Sequence, residues 1–114
     1  MADCIFCRIA DKEIRAEIVY EDGLCVAFKD LDPQAPFHAL VIPKRHIVNV
    51  LEVPESDADL LGRLLLACKE VAKAAGVAER GFRIVTNSNR ESGQSVDHLH
   101  FHVLGGRPMG WPPG

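Results

Sequence analysis

The sequence contains no apolar stretch approaching the roughly 20 residues that a membrane-spanning helix needs. It also has no excess of positive charge, since 13 basic and 16 acidic side chains give a formal net charge of −3. The one short basic cluster, Lys44-Arg45, is typical of a solvated strand end, so no nucleic-acid-binding surface is predicted. The N-terminal residues are polar and carry no signal-peptide apolar region. We therefore expect a soluble, cytoplasmic protein that binds neither membranes nor nucleic acid.

Cysteine is scarce, with four in the whole chain. Cys25 and Cys68 lie in apolar patterns and are predicted to be small core residues. Only Cys4 and Cys7 are spaced as a pair. In a reducing cytoplasm such a pair is more typical of a metal clip, or of simple packing, than of a disulfide.

The length of 114 residues and the 47% hydrophobic content are typical of one domain, 1–114, with its own core. Apolar periodicity and turn residues predict a short N-terminal helix within 4–14, strands at 17–20, 24–29 and 38–42, a helix over 56–75, and strands at 81–87 and 97–104. Ser56 is the expected N-cap of the long helix and Gly76 its C-terminal stop. This order and the short connections predict an α+β fold: about five mostly antiparallel strands with one long helix across one face.

The most informative segment is 98–104, which reads His-Leu-His-Phe-His-Val-Leu. In a strand, residues two apart share a face, so His98, His100 and His102 lie together and the apolar residues between them face the core. The chain has only five histidines. Three of them at this spacing favour a functional site over surface histidines on a half-exposed strand.

Two chemistries fit these histidines. In one, two imidazoles and a distant third bind a catalytic metal ion. In the other, one imidazole is a nucleophile that its neighbours orient. The nucleophile fits the preceding loop better, because Gly93, Gln94 and Ser95 are able to direct backbone amides and a hydroxyl toward an anion. Asn87 adds a neutral amide donor.

At these residues the chain resembles the histidine triad superfamily, whose signature alternates three histidines with apolar residues. Segment 93–96 also resembles a motif of the family, and segments 33–36, 40–47 and 105–114 further resemble its nucleotide-binding phosphoramidase branch. The resemblance implies a hydrolase that binds purine nucleotides and cleaves the P–N bond of nucleoside phosphoramidates such as adenosine phosphoramidate. His100 would be the nucleophile, forming a nucleotidyl-imidazole intermediate that water hydrolyses, with no catalytic metal required.

The resemblance also assigns roles to other residues. The carbonyl of His98 would hold the His100 ring, His102 would bond to the α-phosphate region, and His38 would support the set from the third strand. Asp30 would accept both ribose hydroxyls. Contacts to the phosphate or leaving group would come from Asn87, Ser95 and the amides of Gly93 and Gln94. The apolar slot for the base would consist of Ile5, Phe6, Ile9, Phe28 and Leu31.

A structural zinc site is a further prediction. Cys4 and Cys7 form a two-cysteine clip that His46 and His98 are able to complete. Some histidine triad relatives carry such a zinc, whereas the phosphoramidase branch often lacks the first cysteine pair, and a redox pair is a further option. The zinc would be structural, because His98 as a ligand leaves His100 free as the nucleophile.

The resemblance implies a two-fold homodimer with the sheet extended across it. Trp111 would then touch the leaving-group region of the other subunit; the alternative is that Trp111 folds back on its own chain. Gly110 stands where relatives often have a second polar ring residue. Two other functions remain open: hydrolysis of dinucleoside polyphosphates, and a nucleotide-binding or interaction module with little turnover.

Overall fold

The computed structural model describes residues 3–114. Its helices and strands are α1 (Ile5–Ala10), β1 (Ile18–Glu21), β2 (Cys25–Lys29), β3 (Phe37–Pro43), α2 (Ala58–Ala74), β4 (Phe82–Val85) and β5 (Phe101–Gly105). The strands form one antiparallel sheet in the order β1-β2-β3-β5-β4. The α+β fold predicted from the sequence is therefore confirmed.

Strand β3, at the centre of the sheet, and its neighbour β2 are buried on both faces, which is why their sequences are almost continuously apolar. One face packs against α2, through Cys25, Ala27, Ala39 and Val41. The other packs against α1, through Val26, Phe28, Leu40 and Ile42. Because α1 covers the second face, the short N-terminal helix is part of the core and also forms one wall of the site described below.

Helix α2 packs its apolar stripe against the sheet. Leu60, Leu64, Cys68 and Val71 recur at spacings of three and four residues and are buried. The helix ends as predicted at Gly76, whose φ of 77° is a left-handed conformation that glycine adopts without steric cost. No helix in residues 3–114 is long and apolar enough to cross a bilayer.

The long helix begins later than its sequence pattern predicts. A 3₁₀ turn over Glu55–Asp57 precedes it, and Ser56 lies inside that turn instead of capping the helix. Asp57 takes the N-cap position without a side-chain capping bond, and its carboxylate pairs with Arg45. The helix therefore begins at Ala58, two residues after the predicted N-cap Ser56.

Strand β5 also begins later than predicted, at Phe101 instead of residue 97. The preceding residues run past the end of the sheet, where the amide of Leu99 donates to the carbonyl of Ile47 at 2.6 Å. The predicted alternation nevertheless holds through this segment. Leu99, Phe101 and Val103 are buried in the α2 core, so the three histidines lie on the α1 side.

Candidate active site

A cleft of about 370 Å³ opens on the α1 side of the sheet. Its lining is mostly apolar with a few polar groups, as is typical of sites for small organic ligands. The lining residues are Ile5, Phe6, Ile9, Ile14, Arg15, Ala16, Phe28, Lys29, Asp30, Leu31, Leu40, Ser95, Val96, His100 and His102.

The structure brings most of the predicted site residues to this cleft. All five apolar residues predicted for the base slot line it, together with Asp30, Ser95, His100 and His102. The predicted residues that do not line it are His38, His98, Asn87, Gly93, Gln94 and Trp111. His38 and His98 are buried behind the lining residues, where they make hydrogen bonds that orient His102 and His100.

His100 is held in one tautomer by the main chain. Its Nδ1 donates to the carbonyl oxygen of His98 at 2.7 Å, so the Nε2 lone pair is free. Within residues 3–114, Nε2 makes no hydrogen bond, and the ring lines the cleft. Phe6 packs edge-on against this ring with centroids 5.2 Å apart and fixes its plane. The arrangement presents an unprotonated imidazole nitrogen to a bound molecule.

His102 is oriented by His38, its diagonal neighbour in the β3–β5 pairing. The amide of Gln34 donates to Nδ1 of His38 at 3.0 Å, so the His38 proton is on Nε2. That nitrogen is 2.8 Å from Nδ1 of His102 and 3.4 Å from a carboxylate oxygen of Asp30. Since His102 accepts at Nδ1, it carries its own proton on Nε2 and is a donor toward the cleft.

His38, His98 and His102 are held uncharged by their surroundings. Burial, with smaller effects from His100 and His38, lowers the pKa of His102 to about 4. Burial likewise lowers the pKa of His38, against the opposing effect of Asp30. It also lowers the pKa of His98. At neutral pH these three imidazoles are therefore neutral, and each has one donor and one acceptor nitrogen.

The amides of Gly93 and Gln94 are engaged within their own loop. The first donates to the carbonyl of Arg90 at 3.0 Å and the second to that of Asn89 at 3.3 Å. In this conformation they do not point at an anion, so their contact with phosphate stays a prediction. Ser95 is the member of this loop that lines the cleft.

The side chain of Gln94 fixes the loop instead. Its Nε2 donates to the carbonyls of Val48 and Val96, and its Oε1 accepts from the amide of Asn89. It also accepts from Nδ2 of Asn49, which is 3% exposed. The sequence analysis missed Asn49. A lone asparagine in an apolar region is the only signal that would have indicated it.

Four predicted metal ligands form a cluster beside the triad. The ligand atoms of Cys4, Cys7, His46 and His98 lie within 4.8 Å of one another. Nδ1 of His98 is 3.3 Å from Sγ of Cys4, and Nδ1 of His46 is 3.3 Å from Sγ of Cys7. Nε2 of His98 donates to the carbonyl of Pro43 at 2.8 Å, which leaves its Nδ1 lone pair directed at the sulfurs. The cluster fits a metal ion in ligand type, number and tautomer.

A second group with suitable distances, formed by Asp30, His38 and His102, fits a metal ion less well. A metal on Nε2 of His38 requires that nitrogen to lose its proton. The proton would move to Nδ1, where the amide of Gln34 already donates. This group is therefore better described as a hydrogen-bond network.

Trp111 is 84% exposed, so it does not fold back into the core of its own chain. The tail that carries it is held to β4 by a bond of 2.8 Å from Arg83 to the carbonyl of Gly110. The exposed indole is available for contact with another molecule.

The sequence model of the HIT domain family matches residues 11–109. An uncharacterized HIT-like protein of Synechocystis sp. is 54% identical over 112 residues, covering 98% of this chain and 97% of the relative. A HIT family hydrolase structure from Legionella pneumophila has a TM-score of 0.95 at 49% identity, covering 98% of this chain and 100% of the other. A histidine triad nucleotide-binding protein from Candida albicans has a TM-score of 0.83 at 32% identity, covering 96% of this chain and 83% of the other. The chain belongs to the HIT family.

Proposed function

We propose that this protein binds purine nucleotides and hydrolyses nucleoside phosphoramidates through a nucleotidyl intermediate on His100. The observation that carries the proposal is the hydrogen bond from Nδ1 of His100 to the carbonyl of His98, which leaves the Nε2 lone pair at the wall of the cleft. Similarity to a HIT family hydrolase and to a nucleotide-binding relative supports it.

The proposed reaction follows from the tautomers of His100 and His102. Nε2 of His100 attacks the phosphorus, and the P–N bond breaks as the leaving amine takes a proton from water in the open cleft, while His102 keeps its own proton and donates a hydrogen bond from Nε2. The phosphorylated ring is cationic, and the carbonyl of His98 stabilises it through the Nδ1 hydrogen bond. Water then attacks the phosphorus, loses a proton to solvent and releases His100 in its original neutral form.

Other residues of the cleft are suited to bind the base, the ribose and the phosphate of a nucleotide. The apolar walls suit a base, with Phe6 and Phe28 in edge contact at 5.4 Å. One oxygen of Asp30 accepts from the amide of Asp32 at 2.8 Å, which orients the carboxylate toward paired ribose hydroxyls. Ser95 is the donor for a phosphate oxygen. Asn87 and the amides of Gly93 and Gln94 would contact the phosphate only if the loop changes conformation when the nucleotide binds.

We assign the cluster of Cys4, Cys7, His46 and His98 to a structural zinc ion. Zinc bound there would tie the N-terminus of α1 to the segment that carries the triad. Burial, and then the neighbouring Cys4, raise the pKa of Cys7 to about 11, so a bound cation is what would hold this thiol as a thiolate. The zinc supplies no step of the reaction.

We further propose a homodimer in which the sheet continues across β4, one of the two edge strands of the described sheet. Ile84 on that strand is 36% exposed, and Leu65 and Leu66 on α2 are 47% and 53% exposed. Together with Trp111 they leave more apolar surface than a solitary subunit needs. Light scattering at micromolar protein gives the expected dimer mass; a monomer mass rejects the assembly.

The activity is tested by measuring hydrolysis of adenosine phosphoramidate and, in a separate assay, of diadenosine polyphosphate as the alternative substrate. The phosphoramidate is expected to be the better substrate, and His100→Asn lowers turnover about 10³-fold or more. Wild-type protein quenched during turnover carries an AMP adduct on His100 by mass spectrometry. Full activity in His100→Asn rejects the nucleophile. Binding of AMP without turnover of either substrate favours a binding module.

A further inference from the structure

The tail after β5 is locked against the loop that precedes β3. Nε and Nη2 of Arg107 donate to the carbonyl of Gln34 at 3.3 and 2.9 Å. Gly106, at a φ of 93°, lies so close to this loop that a Cβ there would be 2.9 Å from Cβ of Pro36. Two independent contacts therefore hold the tail and the loop together.

Gln34, whose carbonyl accepts from Arg107, also sets the tautomer of His38. The amide of Gln34 donates to Nδ1 of His38, and Nε2 of His38 then lies 2.8 Å from Nδ1 of His102. The side chain of Gln34 itself donates from Nε2 to the carbonyl of Asp32 in the same loop at 3.0 Å. A guanidinium outside the cleft is thus linked through Gln34 and His38, by four hydrogen bonds, to the donor inside it.

We propose that Arg107 is a positioning residue that keeps Nε2 of His102 protonated and so makes His102 a donor to the substrate. If Gln34 shifts, Nδ1 of His38 is free to take the proton, and Nε2 of His38 becomes an acceptor. Nδ1 of His102 then has to carry the proton, and its Nε2 turns a lone pair toward the cleft. A donor to a phosphoryl group or leaving amine becomes a group that repels phosphate oxygens.

Arginine suits this role because its planar fork places two N–H groups on one carbonyl oxygen. A third N–H donates to the carbonyl of Pro108 at 3.0 Å and anchors the tail itself. Arg107 is exposed, so its replacement leaves the core intact and the variant folds. The role of Arg107 in turnover rests on the proposed function, whereas its effect on the tautomers does not.

The tautomers are measured directly by ¹⁵N NMR of the imidazole rings. In the wild type, His38 and His102 each show a protonated Nε2 and an unprotonated Nδ1. Arg107→Gln is expected to shift both rings toward a mixture of tautomers, and Arg107→Lys to restore the wild-type pattern in part. Arg80→Gln, at an exposed turn arginine, serves as the control and is expected to change nothing. Wild-type tautomers in Arg107→Gln overturn the proposal.

Steady-state kinetics tests the consequence for catalysis. Arg107→Gln is expected to lower kcat about tenfold with a smaller change in KM, because the donor is misdirected while the apolar slot is unchanged. A tautomer shift with unchanged kcat overturns the catalytic role. If wild-type protein fails to hydrolyse the phosphoramidate, the proposed function fails, and the NMR result alone decides whether Arg107 controls the tautomers.

Discussion

Acidification should destabilise this protein through His102 well above the pH at which carboxylates titrate. Burial, followed by the nearby His100 and His38, lowers the pKa of His102 to about 4 in the folded chain. In the unfolded chain a histidine titrates at about 6.5. Between these two pH values the unfolded chain binds a proton at this position that the folded chain does not, so stability falls as the pH falls.

The magnitude follows from the width of that window. One pKa unit corresponds to about 1.4 kcal/mol, which gives an upper bound of about 3.5 kcal/mol for the full shift from 6.5 to about 4. The ring lines an open cleft, and solvent screening there reduces the expected loss to about 1–2 kcal/mol. This loss of stability is absent above about pH 6.5. It grows as the pH falls and is complete as the pH approaches 4.

Urea unfolding at several pH values between 7 and 4.5 measures this loss, with His102→Asn as the matched variant. The carboxylates, together with His38 and His98, titrate in both proteins, so the difference between the two slopes reports His102. The wild type should lose about 1–2 kcal/mol more than the variant over this range. Parallel pH profiles for the two proteins would refute the assignment of His102 as a neutral, buried imidazole.

Three further predictions concern the core, the loop and the metal cluster. Leu64→Ala, at a fully buried position, should lower the free energy of unfolding by about 3–5 kcal/mol, whereas Leu51→Ala, at a position 73% exposed, should change it by less than about 0.5 kcal/mol in chemical denaturation. Gln94→Ala removes the bonds that fix the loop, so the KM for phosphoramidate should rise about tenfold or more while the fold by circular dichroism is kept. An unchanged KM would show that the loop is held by other groups. Cys4→Ser should abolish the binding of roughly one zinc ion per chain in elemental analysis, while Cys25→Ala, a buried thiol outside the cluster, should retain it.

The sequence predicts most of this fold because its strongest signals are local. The alternation in 98–104 places the apolar residues against α2 even though β5 starts only at Phe101. The start of α2 was predicted about two residues early, because Ser56 lies in a 3₁₀ turn that leads directly into the helix. Such turns are frequent at helix N-termini, and the residue pattern does not separate them from the helix.

The site is predictable only to the extent that side-chain type reveals it. His98, His100 and His102 stand out by their spacing and chemistry, whereas the roles of Asp30 and His38 were predicted only from the resemblance to the family. Ile14, Arg15 and Ala16 also line the cleft, but they belong to an irregular connection without periodicity. Gln34 was missed for a different reason, since it acts on His38 through its backbone amide, which every residue except proline possesses.

Main-chain groups decide the protonation of this site more than side-chain charges do. The carbonyl of His98 fixes His100, the amide of Gln34 fixes His38, and the carbonyl of Pro43 fixes His98. Each bond selects one neutral tautomer, and the burial of three of the rings keeps them uncharged. A carboxylate in place of these carbonyls would favour a doubly protonated imidazole. Neutral main-chain partners instead leave one nitrogen with a lone pair and another with a proton, which is the arrangement that the proposed nucleotidyl transfer to His100 needs.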